Sequence, residues 1–324
     1  MTRKSNGTLA AVLAAATLTL PVLAAAQSFP TKPVRMIVPF PPGGATDISA
    51  RLVGAKMQEV WGQAVVIESR PGAGTMAGTD AVAKSSPDGY TMGFVVTAHV
   101  INPSLRPKMP YDTIRDLSGV TQVSQQQIVI AAYPGFPANN IAELIALAKK
   151  SPVKIQYATS GAGTALHLSA ELLATTAGVQ FEHVPYKGGA QAMQDVITGR
   201  VPIDMEIFYA ASSYIKSGKI KVLAMLSDKR AAFTKEYPTV AETVPGVSAV
   251  SMVGLVVPSA TPRELVRRIS ADIARAVKSS DLTEKMLAQG MEPVGSTPEE
   301  FDTLIRTEIA KWAPVVKASG ATAD

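Results

Sequence analysis

One unit recurs along this chain: a short apolar, β-branched run, then a loop rich in glycine and proline, then a segment with apolar residues at helical spacing. Alternation of that kind restricts a chain to α/β architectures built on parallel strands. The first copy is Val34-Arg35-Met36-Ile37-Val38, the loop Pro39-Phe40-Pro41-Pro42-Gly43-Gly44-Ala45-Thr46, and a helix from about Asp47 with Ile48, Leu52, Val53 and Val60 facing the core. A second copy has the strand Val65-Val66-Ile67, the loop Ser69 to Thr75 and a helix from Met76 to Lys84, and Tyr90 to Thr97 reads as a buried strand. Gln127 to Ala132 is another apolar strand, and Asn139 or Asn140 can cap a helix that runs to Lys150.

Two further units follow. Lys154 to Ala158 is a strand, Thr159-Ser160-Gly161-Ala162-Gly163-Thr164 a loop, and Leu166, Leu172 and Leu173 mark a helix that Gly178 terminates. Gln180 to Val184, the loop Pro185-Tyr186-Lys187-Gly188-Gly189 and a helix through Met193, Val196 and Ile197 make the next. Val201 to Phe208 and Lys219 to Ser227 read as strands, Pro262 as the first residue of a long helix, and the remainder as helical, with Thr297-Pro298-Glu299-Glu300 opening a helix toward Trp312.

The N-terminus reads differently. Arg3 and Lys4, an apolar run from Leu9 to Leu20 and Ala24-Ala25-Ala26 before Gln27 have the form of an export signal cleaved after Ala26. Thr17, Thr19 and Pro21 interrupt the run, which is short for a bilayer that needs about 20 apolar residues. Removing 26 of 324 residues leaves about 298, more than one core usually carries, so two domains are expected. The expected division is residues 27–122 plus 225–324 for a discontinuous first domain and 123–224 for an inserted second one. No cysteine is present, which excludes disulfides, thiolate nucleophiles and cysteine-bound metal. The formal charge of +5 falls to +3 without Arg3 and Lys4, and the scattered cations form no basic stripe, so nucleic acid is not an expected partner.

The loops carry the chemistry. Where a loop leaves the carboxyl end of a parallel strand and opens a helix, backbone N–H groups and the helix dipole converge on one place. Glycine lets the backbone come close to a ligand, so Gly43-Gly44, Gly161-Ala162-Gly163 and Gly188-Gly189 can present main-chain donors to an anion, or can simply be tight turns. Thr46, Thr75, Ser160 and Thr164 can cap helices or touch a ligand. Asp47 suits the positive end of a helix dipole, and beside an anion site it can also meet an amine or hydroxyl. His167 can point into the cleft or be a satisfied helix residue, Tyr186 can be a lid or a packed aromatic, and Asp204 and Glu206 can line the cleft or accept structural hydrogen bonds. His99, His167 and His183 are too far apart in sequence for a local metal motif. No G-x-S-x-G elbow or Walker A loop occurs, and the run Gly72 to Gly78 misses the dinucleotide-binding spacing. A cleft hydrolase or decarboxylase would need a base and nucleophile that these loops do not assemble.

The motifs Pro39-Phe40-Pro41-Pro42-Gly43-Gly44 with Asp47, Arg70-Pro71-Gly72-Ala73-Gly74, Pro87-Asp88-Gly89-Tyr90-Thr91, Asn102-Pro103, His183-Val184-Pro185-Tyr186-Lys187-Gly188-Gly189 and Pro238-Thr239-Val240-Ala241-Glu242 span nearly the whole chain after residue 26. Together they resemble the extracytoplasmic solute receptors of tripartite tricarboxylate transporters, the Bug receptors. The resemblance implies a type II periplasmic-binding-protein fold, two α/β domains closing on a ligand cleft, a periplasmic monomer without cofactor or metal, and no catalysis. It implies a small carboxylate as ligand and the transporter's membrane permease subunits as partners; a sensing role would use the same ligand step. Carried onto this sequence, it places ligand contacts at Phe40, Gly43, Gly44, Thr46, Asp47, Gly74, Thr97, Ala98, Ser160, Gly161, Gly163, Thr164 and His167, with Tyr186, Gly188 and Gly189 beside them. Two departures stand out: Met252-Val253-Gly254 where the family usually has Trp before Gly, and Thr75-Met76 in place of glycine and asparagine. The second makes the cleft beside Gly74 less polar, which suits a partly apolar acid.

Overall fold

A computed structural model describes residues 29–321, so the expected export signal lies outside the described residues. The chain runs β1 (Val34–Val38), α1 (Ala45–Trp61), β2 (Val65–Ser69), α2 (Met76–Ala83), β3 (Thr91–Val96), α3 (Ala98–Leu105) and β4 (Leu117–Ala132). It continues through α4 (Ile141–Lys150), β5 (Ile155–Thr159), α5 (Ala165–Ala177), β6 (Phe181–Pro185), α6 (Gly189–Ile197), β7 (Ile203–Ile207), α7 (Phe208–Lys216) and β8 (Lys221–Met225). Last come β9 (Val250–Pro258), α8 (Arg263–Val277), α9 (Ser280–Ala288), β10 (Met291–Pro293) and α10 (Pro298–Ser319). Among the described residues no helix is long and apolar enough to cross a membrane.

The strands fall into two matched sets. In the first, β1 lies between β2 and β3 and is parallel to both, Val34 opposite Val65 and Arg35 opposite Thr91. In the second, β5 lies between β6 and β7, again parallel to both, Ile155 opposite Phe181 and Tyr157 opposite Ile203. One long strand joins them. From Leu117 to Gln127, β4 runs antiparallel to β9, which also pairs with β3; from Ile128 to Ala132 it pairs with β7 and β8.

The first half of β4, residues 117–126, was not expected from sequence, where only Gln127 to Ala132 stands out as a strand and Thr121, Gln122, Ser124, Gln125 and Gln126 are polar. Thr121, Gln125 and Gln127 find partners far along the chain. Gln125 and Gln127 donate to the Glu292 carboxylate on β10 at 2.8 and 3.3 Å, and the Thr121 hydroxyl donates to the Ser296 carbonyl at 2.7 Å. A satisfied polar side chain costs far less to bury than an orphaned one.

Helix ends follow local chemistry. Asn140 caps α4 by accepting the Glu143 N–H at 2.9 Å, Gly178 closes α5 in the left-handed conformation, and Thr297 and Glu300 form a reciprocal capping box at the start of α10. That last helix ties the two sets together. It packs on α3, on α5 and on β4, with Phe301 and Trp312 fully buried and the indole N–H donating to Glu308 at 2.9 Å. Gly254 lies beneath the Phe301 ring, where a methyl group would collide with it.

Several expectations need correcting. Val60 is 49% exposed and lies on the outer face of α1, whose buried residues include Val53 and Met57. Pro262 caps α8 from the residue before its first turn, with ψ at 128°. The C-terminal region is helical as expected except for β10, which pairs with β4, and α3, α7 and β9 were not foreseen.

Candidate functional site

Every loop singled out in the sequence leaves the carboxyl end of a parallel strand. In each three-strand set the first strand is central, so the chain leaves it toward opposite neighbours and a crevice opens at that edge, the usual ligand position in open α/β sheets. The turns after β1, β2 and β3 form one group, and those after β5, β6 and β7 the other.

In the first group, Gly43 has φ +90° and Gly44 begins α1 without any side-chain cap. The first N–H groups of α1 therefore lack an internal partner and carry the positive end of the helix dipole. Asp47 is buried, and its Oδ2 accepts from Gly43 N–H at 2.9 Å and from Arg51 Nε at 2.8 Å. The Arg51 bond holds its pKa below the ordinary aspartate value; burial opposes this and the Gly43 bond reinforces it. Its Oδ1 is buried with no partner. Thr46 is buried and Phe40 half-buried against the core around β1. The loops after β1 and β2 touch, since Gly78 packs on Pro39 and the Arg70 carbonyl. Gly74 has φ +61°, its carbonyl accepts from Asn102 Nδ2 at 2.9 Å, and the Arg106 guanidinium covers it. Thr75 is buried with φ +79°, a left-handed conformation rare for a β-branched residue. Thr97 is buried and its hydroxyl accepts the Met252 N–H at 3.0 Å, tying the start of α3, where Ala98 is half-buried, to β9.

The second group is more densely bonded. Thr159 Oγ1 accepts the Gly161 N–H at 3.1 Å and lies 2.7 Å from His183 Nε2. Thr164 caps α5, accepting the His167 N–H at 3.3 Å and donating to the Gly161 carbonyl at 2.8 Å. His167 Nδ1 accepts the Gly163 N–H at 3.0 Å, so the proton of the neutral ring sits on Nε2. The two imidazoles stack, centroids 4.0 Å apart and planes 9° from parallel. Burial pushes both below the usual histidine value, His183 to about 4 with His167 adding to the effect. Three expected main-chain donors, Gly43, Gly161 and Gly163, are thus engaged within the loops themselves, while Ser160 is half-buried between them.

Tyr186 donates from its hydroxyl to Asp195 at 2.6 Å, and its ring packs on the core beside α6. Gly188 starts α6 with φ +157° and no side-chain cap, and Gly189 lies against the Glu206 carboxylate. Asp204 is fully buried on β7 with no well-aligned hydrogen-bond partner for either oxygen, and burial first, Glu206 second, raises its pKa well above the ordinary value against a weaker opposing pull from the Met205 N–H. Burial also raises Glu206, against the Ile207 N–H that it accepts at 2.7 Å. Among the described residues no three His, Asp or Glu side chains are placed to hold a metal.

Sequence reasoning missed the long-range members of both groups: Asn102 and Arg106 against Gly74, and His183 against Thr159 and His167. It also missed the contact between them. Leu105, at the end of α3, lies against Gly163, where an added Cβ would come within 2.9 Å of its side chain.

Residues 49–321 match the tripartite tricarboxylate transporter family receptor. The chain belongs to this family. Bordetella pertussis BugT, a member of similar length, is 35% identical over 95% of both chains. Among solved structures, the periplasmic binding protein BugD superposes with a TM-score of 0.74 at 31% identity, over 91% of this chain and 99% of that one. A Rhodopseudomonas palustris protein solved with adipate gives 0.77 at 33% identity, over 91% and 99%, and MatC from the same organism, with bound malate, gives 0.73 at 28%, over 89% and 100%. The receptor family's fold is that of periplasmic binding proteins, and the matched strand sets and the β4 crossing are how this chain builds it.

Proposed function

We propose that this receptor captures a small carboxylate in the periplasm between two closing lobes and delivers it to the membrane permease of a tripartite tricarboxylate transporter, without chemical change to the acid. The lobes are residues 27–122 with 225–324, and 123–224, joined by β4 and bridged by α10. Export rests on the signal read in residues 1–26. The observation that carries the reading is the repetition: at the same edge of each strand set, a glycine-bearing loop opens a helix after the central strand. One carboxylate held by several charge-assisted hydrogen bonds of roughly 1.5–3 kcal/mol each retains about micromolar affinity after the losses of association. Adipate and malate in the related proteins are of this ligand class.

A ligand that touches both lobes favours the closed arrangement by its differential affinity, and closure is what a permease can recognise. The test is a thermal-shift screen of the protein against mono- and dicarboxylates, amino acids and aromatic acids. Binding to the folded state raises stability by RT ln(1 + [L]/Kd), about 2.7 kcal/mol at 100 times Kd. At least one acid is expected to raise the midpoint by several degrees in proportion to the logarithm of its concentration. A panel in which no acid does so rejects the reading.

A further inference from the structure

Two chemically unlike side chains occupy matched places in the two halves. Asp47 is the third residue of α1 and accepts the N–H of Gly43, four residues back, at 2.9 Å. His167 is the third residue of α5 and accepts the N–H of Gly163, also four residues back, at 3.0 Å. Each glycine has positive φ, +90° and +68°, and directly precedes the residue that caps the helix, Gly44 or Thr164. The strands feeding these loops, β1 and β5, are the central members of the two sets. What carboxylate and imidazole share here is a bare acceptor aimed at the same backbone atom.

We infer that Asp47 and His167 are matched positioning residues, each clamping the glycine of its own loop and so fixing where the first N–H groups of α1 and α5 point. The inference rests on the carboxylate-binding reading of those loops. Gly43 and Gly44 are exposed, with no non-neighbouring atom within 4 Å of where a Cβ would be, so the bond from Gly43 N–H to Asp47 is a principal tether of that turn. Asp47 is itself held by Arg51. His167 is held by its stack on His183, with Glu171 3.9 Å from Nε2, and His183 reaches Thr159, which takes the Gly161 N–H. The groups ranged against the imidazole pair are therefore Glu171 on α5 and Tyr157 on β5, whose hydroxyl donates to Glu171 at 2.7 Å. Neither clamp offers its acceptor to a guest: Asp47 Oδ2 already has two partners, Oδ1 is enclosed, and His167 Nδ1 faces Gly163.

The test measures amide exchange at Gly43 and Gly163 by NMR in the ligand-free protein, with calorimetric titration by adipate and by malate. The variants are Asp47→Ala, Asp47→Asn, His167→Ala and His167→Asn, since asparagine keeps an acceptor at the same distance along the side chain. Loss of one such bond is worth roughly a factor of ten. Each alanine variant should speed exchange at its own glycine, and only there, by about 10-fold and raise Kd by a similar factor, with asparagine restoring most of both. Asparagine variants that lose affinity as fully as alanine while the glycine amide stays protected overturn the inference, because the side chain then meets the ligand directly. If an alanine variant does not fold, the native protein decides: Gly43 and Gly163 amides exchanging at free-loop rates overturn it as well. Protein that binds neither acid but shows the expected exchange pattern tells against adipate and malate and leaves the clamps standing.

Discussion

Asp204→Asn should stabilise this receptor, and by an amount that grows with pH. The carboxyl is fully buried on β7, neither oxygen has a well-aligned hydrogen-bond partner, and Glu206 stands two residues along the same strand. Burial raises its native pKa far above that of an unfolded aspartate, near 3.9. The sign follows from proton counting. A raised native pKa means that the folded chain holds a proton the unfolded chain has released, so stability is complete below about pH 4 and declines as pH rises toward the native pKa. Over that window the decline is about 1.4 kcal/mol per pH unit. Asparagine has nearly the same shape and no proton to lose, so the variant removes this slope. Urea denaturation at pH 5, 6, 7 and 8 should show the variant's advantage over the native sequence widening by up to about 1.4 kcal/mol per unit until the native acid ionises. A difference that stays constant with pH, or a variant less stable at pH 8, would refute a proton held at Asp204. An acid kept at such cost within electrostatic reach of Tyr186 is unusual for a purely structural position.

Other expectations concern the rest of the fold. His99 and His183 sit near pKa 4, below the unfolded value of about 6.5, so their contribution is complete above about pH 6.5 and is lost as pH falls toward 4. For the fully buried His99, neither of whose ring nitrogens has a partner, His99→Leu should flatten that acid limb by up to about 1.4 kcal/mol per pH unit; an unchanged limb in denaturation at pH 4.5 to 7 contradicts this. Gly254→Ala, which drives a methyl into the Phe301 ring between β9 and α10, should cost about 1–3 kcal/mol by urea denaturation, and a neutral result would show that α10 yields more readily than its packing implies. Gly43→Ala is expected to weaken acid binding in calorimetry by roughly 10-fold through strain at φ +90°, with no steric cost because the space around it is open. Undiminished affinity would remove that loop from the site.

The strand–loop–helix units were legible because each carries its own punctuation. β-branched runs such as Val34 to Val38, glycines at positive φ and helix caps such as Asn140 and Thr297 are local signals, and the structure places them within a residue or two of expectation. What escaped depends on distant partners. The polar half of β4 finds partners for Thr121, Gln125 and Gln127 in Ser296 and Glu292, 165 to 175 residues away. α3, which contains Pro103 and persists for two residues beyond it, carries no clear helical signal in the sequence. Phe208, read as the end of a strand, instead begins α7. The site divides the same way. Its glycine loops show in the sequence, whereas the pairing of His183 with His167, sixteen residues apart, needs β5 and β6 side by side. That Gly43 and Gly163 donate inward, to Asp47 and His167, could not be read from residue types that suit ligand contact equally well.

The most direct test is a crystal structure of the protein with a stabilising acid bound. The carboxylate oxygens should lie about 2.7–3.1 Å from backbone N–H groups at the starts of α1 and α5, directly or through one ordered water, with both lobes in contact with the same molecule. An acid gripped instead by lysine or arginine side chains, or seated away from the carboxyl ends of β1 and β5, would contradict recognition by the main chain.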